Sequence, residues 1–407
     1  MSDFLPKAGE LATRVRALPA ARPLIPRLRG TSGVHLVGGA VRDLLLGGAP
    51  VDLDLAVEGD AEEFAASLGG ELKVHDRFGT STVRLDGFDY DIARTRRETY
   101  ARPGALPDVV PAPLAEDLQR RDFTVNAIAL ALGCDAPGEL AAAPRAIEDL
   151  AARRLRVLHD RSFIDDPTRL FRLVRYASRL GFEIEPHTRA LAMRATHDGA
   201  VGTVSGPRVG AELRLLARER DPVRALEGLR GLGLDAAVHP EFGLGDPDLA
   251  RRAEALLPGD ARRDRLVLAL AARAVTGNLT GLLDSLAFEA EDRDAIVITA
   301  ARGEEVARAL ASAGAPSAIA AAVAGAPAEL VALAGALGPE PQARDWLDTL
   351  RHVRLAIDGR DLLAAGLPEG PAIGRGLRAA LAAKLDRLVA GREQELAAAL
   401  IGAGEPE

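Results

Sequence analysis

The chain changes character once, near residue 148, and that change limits its possible folds more than any other feature. Over residues 34–132 short apolar or alternating runs are separated by Gly and Asp, the pattern of strands and tight turns mixed with brief helices. Beyond Glu148 the alternation stops. Long Ala/Leu/Arg segments with helical period follow, broken at Gly206-Pro207, Pro240, Pro258-Gly259 and Gly338-Pro339. The fold class this predicts is α+β: a mixed β-sheet with helices first, then an all-α remainder with no further strand. No strict repeat period is present, so a solenoid is not expected.

Within the first part, His35-Leu36-Val37 reads as a strand running into Gly38-Gly39, and residues 40–46 then have helical spacing. The alternating run 51–57 predicts a second strand with its apolar residues, Val51 included, turned to the core. Residues 61–68 read as a helix stopped by Gly69-Gly70, and 81–85 with 88–93 as a hairpin closed at Asp86-Gly87. Residues 102–113 hold four prolines and one glycine, which predicts an extended or mobile loop.

Two constellations carry chemistry. Gly38-Gly39-Ala40-Val41-Arg42-Asp43 stands where a strand becomes a helix, so glycine backbone and free helix N–H groups can approach a phosphate, with Arg42 as an added side-chain ligand. Neither the dinucleotide fingerprint nor the P-loop pattern fits, and a plain tight connection explains Gly-Gly equally well. Asp52-Leu53-Asp54 follows. Residues two apart on an extended chain share a face, and two neighbouring carboxylates repel unless a cation neutralises them; oxygen ligands with substrate phosphates suit Mg²⁺. A solvated strand face is the plainer reading of such a pair taken alone, but its place just after a phosphate-type turn favours metal binding. Asp91, with Asp89 on the same face of the next hairpin, is a candidate third carboxylate. A solvated face explains Asp91 equally well.

The runs Gly38 to Asp54, Arg77-Phe78-Gly79-Thr80, Arg120-Arg121-Asp122-Phe123-Thr124-Val125-Asn126-Ala127 and Asp165-Asp166-Pro167-Thr168-Arg169 occur in an order that resembles the bacterial CCA-adding tRNA nucleotidyltransferase and poly(A) polymerase family. The resemblance covers roughly residues 34–179. It implies a nucleotidyltransferase catalytic head at 31–147 after a helical extension at 1–30, a neck at 148–215 that reads the incoming base, and a helical body and tail at 216–407 that hold tRNA. It implies that Asp52 and Asp54 bind Mg²⁺, that Asp166 and Arg169 meet the edge of CTP or ATP, and that Gly38, Gly39, Arg42, Arg121, Arg172 and Arg175 complete the nucleotide site. The family pattern usually has Glu where this chain has Asp165. Asp358-Gly359-Arg360-Asp361 and Gly370-Pro371 resemble tail turns that touch the tRNA backbone.

Residue spacing supports the neck separately. Leu170, Leu173, Val174, Ala177 and Leu180 make one helical stripe; Arg172, Arg175 and Arg179 fall opposite, with Arg169 at the edge. Residues 151–181 carry eight Arg against three Asp, a local +5 in a chain whose 407 residues sum to −8. The remainder is then −13, so a case against nucleic acid built on the overall charge does not hold. An arginine-rich solvated helix face explains the same pattern, because only Lys7, Lys73 and Lys384 among the 51 basic residues are lysine. Asp166 before Pro167 also suits an ordinary helix cap.

The single cysteine, Cys134, forms no internal disulfide and fits a reducing compartment. The first residues lack a signal peptide's apolar segment, and residues 318–337 are interrupted by Pro327 and Glu329, so neither export nor a membrane span is expected. The expectation is a cytoplasmic monomer or homodimer whose partners are a tRNA 3′ end, CTP and ATP. His159-Asp160 and His197-Asp198 lack the further His/Asp set of a phosphohydrolase, and Trp346 and Tyr176 are too isolated to predict a stacking platform. The alternatives are addition of A alone or CC alone, poly(A) synthesis, and a non-catalytic tRNA-binding protein. By analogy with the family these motifs resemble, retention of the loop at 96–113 argues against CC alone without separating CCA from A addition, and the Asp52/Asp54 pair argues against a mere binder.

Overall fold

The computed structural model describes Pro6 and residues 8–75, 79–133 and 137–404; Arg77, Phe78 and Cys134 lie outside the described residues. The chain forms two compact units, Met1–Glu212 with Gly231–Ala237, and Leu213–Arg230 with Val238–Glu407.

As far as residue 142 the strands of the first unit, in chain order, are β1 (Val34–Val37), β2 (Leu55–Val57), β3 (Glu71–His75), β4 (Thr80–Leu85), β5 (Phe88–Arg94), β6 (Arg96–Thr99), β7 (Asp108–Pro111), β8 (Ile128–Ala131) and β9 (Leu140–Ala142). Seven of them make a sheet in the order β3-β4-β5-β2-β1-β8-β9, antiparallel except for the central β2–β5 pair. Its core is the apolar set of the alternating strands, with Leu36, Leu53, Leu55, Tyr90 and Ile92 almost fully buried. The Asp86-Gly87 turn takes positive φ at both residues, as a tight two-residue hairpin requires.

The helices of this unit are α1 (Ala8–Ala17), α2 (Gly39–Leu45), α3 (Ala61–Ser67), α4 (Leu114–Gln119), α5 (Ala146–Ala151), α6 (Ser162–Asp165), α7 (Thr168–Leu180), α8 (Pro186–His197) and α9 (Gly206–Ala217), the last continuing into the second unit. The helix of α2 is amphipathic, burying Ala40, Val41, Leu44 and Leu45.

Three expectations are corrected. The run 51–57 becomes strand only from Leu55, and Val51 is 64% exposed. β1 ends where Gly38 turns away, so residues before Asp54 lose their partner on that side, where Asp54 O accepts the last bond, from Val37 N–H at 3.0 Å, and on the other side the ladder to β5 begins only at Leu55. Residues 102–113 are not all loop: Asp108–Pro111 pairs with Arg96–Thr99 as a two-stranded hairpin, where the missing N–H of Pro111 falls at a strand end and costs little. The part beyond Glu148 is not all helix, since β10 (Arg154–Leu155) and β11 (Glu183–Ile184) form a short parallel pair after Gly181, at φ 64°, ends α7.

Among its described residues the second unit is helical. Its core gathers Leu256, Val306, Leu310, Leu330, Val331 and Leu347. The apolar helix Ala328–Ala336 is buried along nearly its whole length inside this core, which accounts for its composition; no helix among the described residues is long and apolar enough to cross a membrane. The Asp358 turn is a capping box with Asp361, and Pro371 opens the helix Pro371–Leu385.

Candidate active site

The turn between β1 and α2 requires glycine twice over. Gly38 has φ 68°, and a Cβ there would sit 3.1 Å from Nη1 of Arg121. Arg42 is buried beneath the turn: Nη1 donates to Asn126 Oδ1 at 2.6 Å and Nε to Asp43 Oδ1 at 2.8 Å. Arg42 therefore supports the turn and does not line the cleft above it.

Asp52 and Asp54 flank buried Leu53, so the alternation that puts both carboxylates on the solvent side persists outside the regular strand. The β2–β5 register pairs Leu55 with Ile92, and extending it by one residue sets Asp54 beside Asp91. Asp89 is not part of this group; it pairs with Arg84 across the hairpin at 3.8 Å. The Asp54 carboxylate opens to the cleft but is walled by protein elsewhere, and its proton affinity is raised, first by lost hydration, then by the charge of Asp91 and, to a smaller degree, Asp52; Arg121 opposes them. Like charges held together this way fit a divalent cation. Among the described residues no group of three His, Cys, Asp or Glu side chains converges on one metal position. Asp52 and Asp54 would thus hold a metal that takes its other ligands from substrate oxygens and water, the habit of Mg²⁺.

A cleft of about 370 Å³ runs from this corner to α7, with Gly38, Gly39, Asp54, Arg121, Asp166 and Arg169 among its walls. Arg172 reaches it while donating from Nε and Nη2 to Asp122 Oδ2 at 3.0 and 2.7 Å. Asp122 Oδ1 in turn accepts from Asn126 at 3.0 Å, so a continuous chain joins Arg42 under the turn to Arg172 on the wall. Burial works against ionised Asp122, but Arg172 and Asn126 outweigh it and hold its carboxyl below the usual range. Arg169 is buried, with Nη1 on Ser162 Oγ at 2.8 Å and Nη2 on the Arg120 carbonyl at 2.7 Å. Asp166 Oδ1 accepts from the backbone N–H and hydroxyl of Thr168 at 3.1 and 2.7 Å, so it caps α7 as well as lining the cleft.

The arginine face of α7 is mostly turned inward. Arg175 is buried beside Glu212 at 3.4 Å and over the Tyr176 ring, and it does not line the cleft. Asp165 pairs with Arg161 at 3.1 Å and also stays off the cleft wall. Tyr176, read from the sequence as isolated, lies in the cleft wall within 5.5 Å of the guanidiniums of Arg42, Arg172 and Arg175.

Several residues escaped the sequence reading. Arg208 on α9 donates to Asp166 Oδ1 at 2.8 Å and to the Gly104 carbonyl at 3.1 Å. Asp117, almost fully buried, accepts from Arg120 and Arg121. Glu98 takes Arg120 and the Tyr100 hydroxyl, whose pKa is pushed up to about 12, chiefly by burial, so it remains a donor. Only the partial burial pattern of α4, with Asp117 four residues before Arg121, hinted at any of these in the sequence.

Residues 34–156 match the poly A polymerase head domain. The chain is 35% identical to the CC-adding tRNA nucleotidyltransferase of Deinococcus radiodurans over 84% of this chain and 82% of that one. It is also 35% identical to the A-adding tRNA nucleotidyltransferase of Geobacter sulfurreducens over 94% of this chain, but spans only 47% of that protein's length. The solved Thermotoga maritima CCA-adding enzyme complexed with tRNA is similar in fold, with a TM-score of 0.77 and 27% identity over 97% of this chain and 98% of that one. The chain belongs to the tRNA nucleotidyltransferase and poly(A) polymerase family.

Proposed function

We propose that the protein adds nucleotides from CTP and ATP to the 3′ end of tRNA without a nucleic-acid template, completing the CCA sequence in the cytoplasm. The observation that carries this is one cleft that joins the glycine turn, Asp54 and the Asp166/Arg169 pair, with Asp52 next to it on the same side of the chain as Asp54. Gly38 and Gly39 admit the triphosphate close to backbone, with Arg121 beside it. Asp166, clamped through Oδ1, keeps Oδ2 for a base amino group, and Arg169 and Arg172 supply donors, so side chains do the reading that a template strand would. The terminal hydroxyl oxygen of tRNA bonds to the α-phosphorus, the bond from that phosphorus to the bridging oxygen breaks, and pyrophosphate leaves with the electron pair; Asp91, beside Asp54, would take the hydroxyl proton. Asp52 and Asp54 would hold Mg²⁺, which when bound supplies charge neutralisation at the phosphates and activation of the hydroxyl.

A second reading, addition of the terminal A alone, is favoured by the A-adding name of the Geobacter relative. One assay separates the two: purified protein with labelled CTP or ATP, and tRNA ending before CCA, after C and after CC. Incorporation of C and then A supports the first reading, A only after CC supports the second, and no incorporation with retained tRNA binding would support a non-catalytic binder.

A further inference from the structure

A second cleft, of about 430 Å³, lies on the other side of Asp54. It shares Asp54, Arg120 and Arg121 with the first, and adds Asp91, Thr82 and His75. Thr82 is directly opposite Asp91 in the β4–β5 register, and its hydroxyl donates to Asp91 Oδ1 at 2.7 Å. His75 Nε2 lies 3.3 Å from the same hydroxyl oxygen. The single Thr82 hydrogen is committed to Asp91, so the Nε2–H tautomer of His75 is the form that donates to the Thr82 oxygen. The result is a directed chain from His75 through Thr82 to Asp91, ending on the carboxylate beside Asp54. Asp91 Oδ2 has no partner among the described residues.

We propose that Thr82, backed by His75, is a positioning residue that fixes the rotamer of Asp91 so that its free oxygen faces the terminal ribose hydroxyl of the acceptor strand in this second cleft. The proposal rests on the nucleotide-addition reading above. An exposed carboxylate on a strand samples several rotamers, and a short hydrogen bond from a β-branched neighbour restricts it to one. Losing that restriction lowers the rate of the step that uses Asp91 while leaving the nucleotide pocket on the other side of Asp54 intact.

The test is steady-state kinetics on tRNA lacking its terminal nucleotides, with Thr82→Val, Thr82→Ser and Asp91→Asn beside the unaltered protein. Thr82→Val keeps shape and removes the hydroxyl; kcat is expected to fall roughly 10-fold, with KM for the nucleotide within about 2-fold, on the scale of losing a partner that orients a site carboxylate. Thr82→Ser is expected to restore kcat to within about 3-fold of the unaltered protein, and Asp91→Asn to fall at least as far as Thr82→Val. A Thr82→Val variant with unchanged kcat, or with KM raised and kcat intact, overturns the proposal, as does a Thr82→Ser variant as slow as the valine form. Thermal unfolding of each variant guards against misfolding: loss of rate with a lowered midpoint that serine does not restore also counts against it. If the unaltered protein itself adds no nucleotide, the functional reading fails, and this proposal with it.

Discussion

Asp122 and Asp54 border the same cleft, yet their surroundings push their carboxyl groups in opposite directions. Asp122 is buried but receives Arg172 and Asn126, and its proton affinity is lowered. Asp54 keeps an opening to the cleft, faces Asp91 and Asp52, and its proton affinity is raised. Asp117 repeats the first case: burial opposes its charge, and Arg120 with Arg121 overcomes it. Carboxylates that the fold satisfies hold the walls in place, while the one left among like charges is the one proposed above to hold a cation. Charge placement within one unit therefore divides scaffold from chemistry more sharply than burial does.

Five substitutions would break or sharpen that contrast. Asp52→Ala should reduce nucleotide addition by about 10³-fold or more, the scale of losing a principal electrostatic stabiliser, with an unchanged circular dichroism spectrum. Asp122→Ala should instead cost stability, on the order of 2 kcal/mol, because it removes the buried acceptor shared by Asn126 and the half-buried Arg172; denaturant titration would read this. Asp166→Ala should relax the CTP-to-ATP preference by about 10-fold while changing triphosphate affinity less, and competition between the two nucleotides measures it. In the helical unit Asp264 is held at about 2: burial raises its pKa, and hydrogen bonds from Arg262 and Arg218 more than reverse this. Its folded pKa lies below its unfolded one, so its contribution, about 1 kcal/mol, is complete above pH ~4 and fades as pH falls toward 2. The stability gap between the unaltered protein and Asp264→Asn should shrink over that window. The smallest effect on stability has the opposite sign: Asp54→Asn should raise the thermal midpoint slightly in metal-free buffer, since it removes a charge the folded state disfavours.

Local features were legible in the sequence. Gly38-Gly39 between a strand and a helix, the Asp86-Gly87 turn, and Asp52 and Asp54 on either side of an apolar residue all follow from neighbours in the chain. Partnerships over distance were not. Arg172 and Asp122 are 50 positions apart, and Arg208 and Asp166 are 42 apart. Helical period alone placed the α7 arginines on a face away from the apolar stripe. It could not show that Glu212 and Asp122 cover that face, which turns Arg175 and part of Arg172 into structure. The loss of strand at 51–54 and the gain of strand at 108–111 both depend on distant partners: β1 stops before Gly38 and gives residues 51–53 nothing to pair with on its side, while Arg96–Thr99 supplies a partner for 108–111.

The parallel β2–β5 pair has a consequence for how this active corner comes into being. Parallel neighbours cannot be joined by a tight turn, so α3, β3 and β4 intervene, and Asp54 meets Asp91 only once that whole crossover has closed. A nascent chain that has emerged as far as the aspartate pair carries the signature of the site without the site. The juxtaposition of Asp54 with Asp91, and the raised proton affinity it gives Asp54, then arrives late, with completion of the sheet. A fragment cut after β2 would keep both aspartates and remain chemically silent.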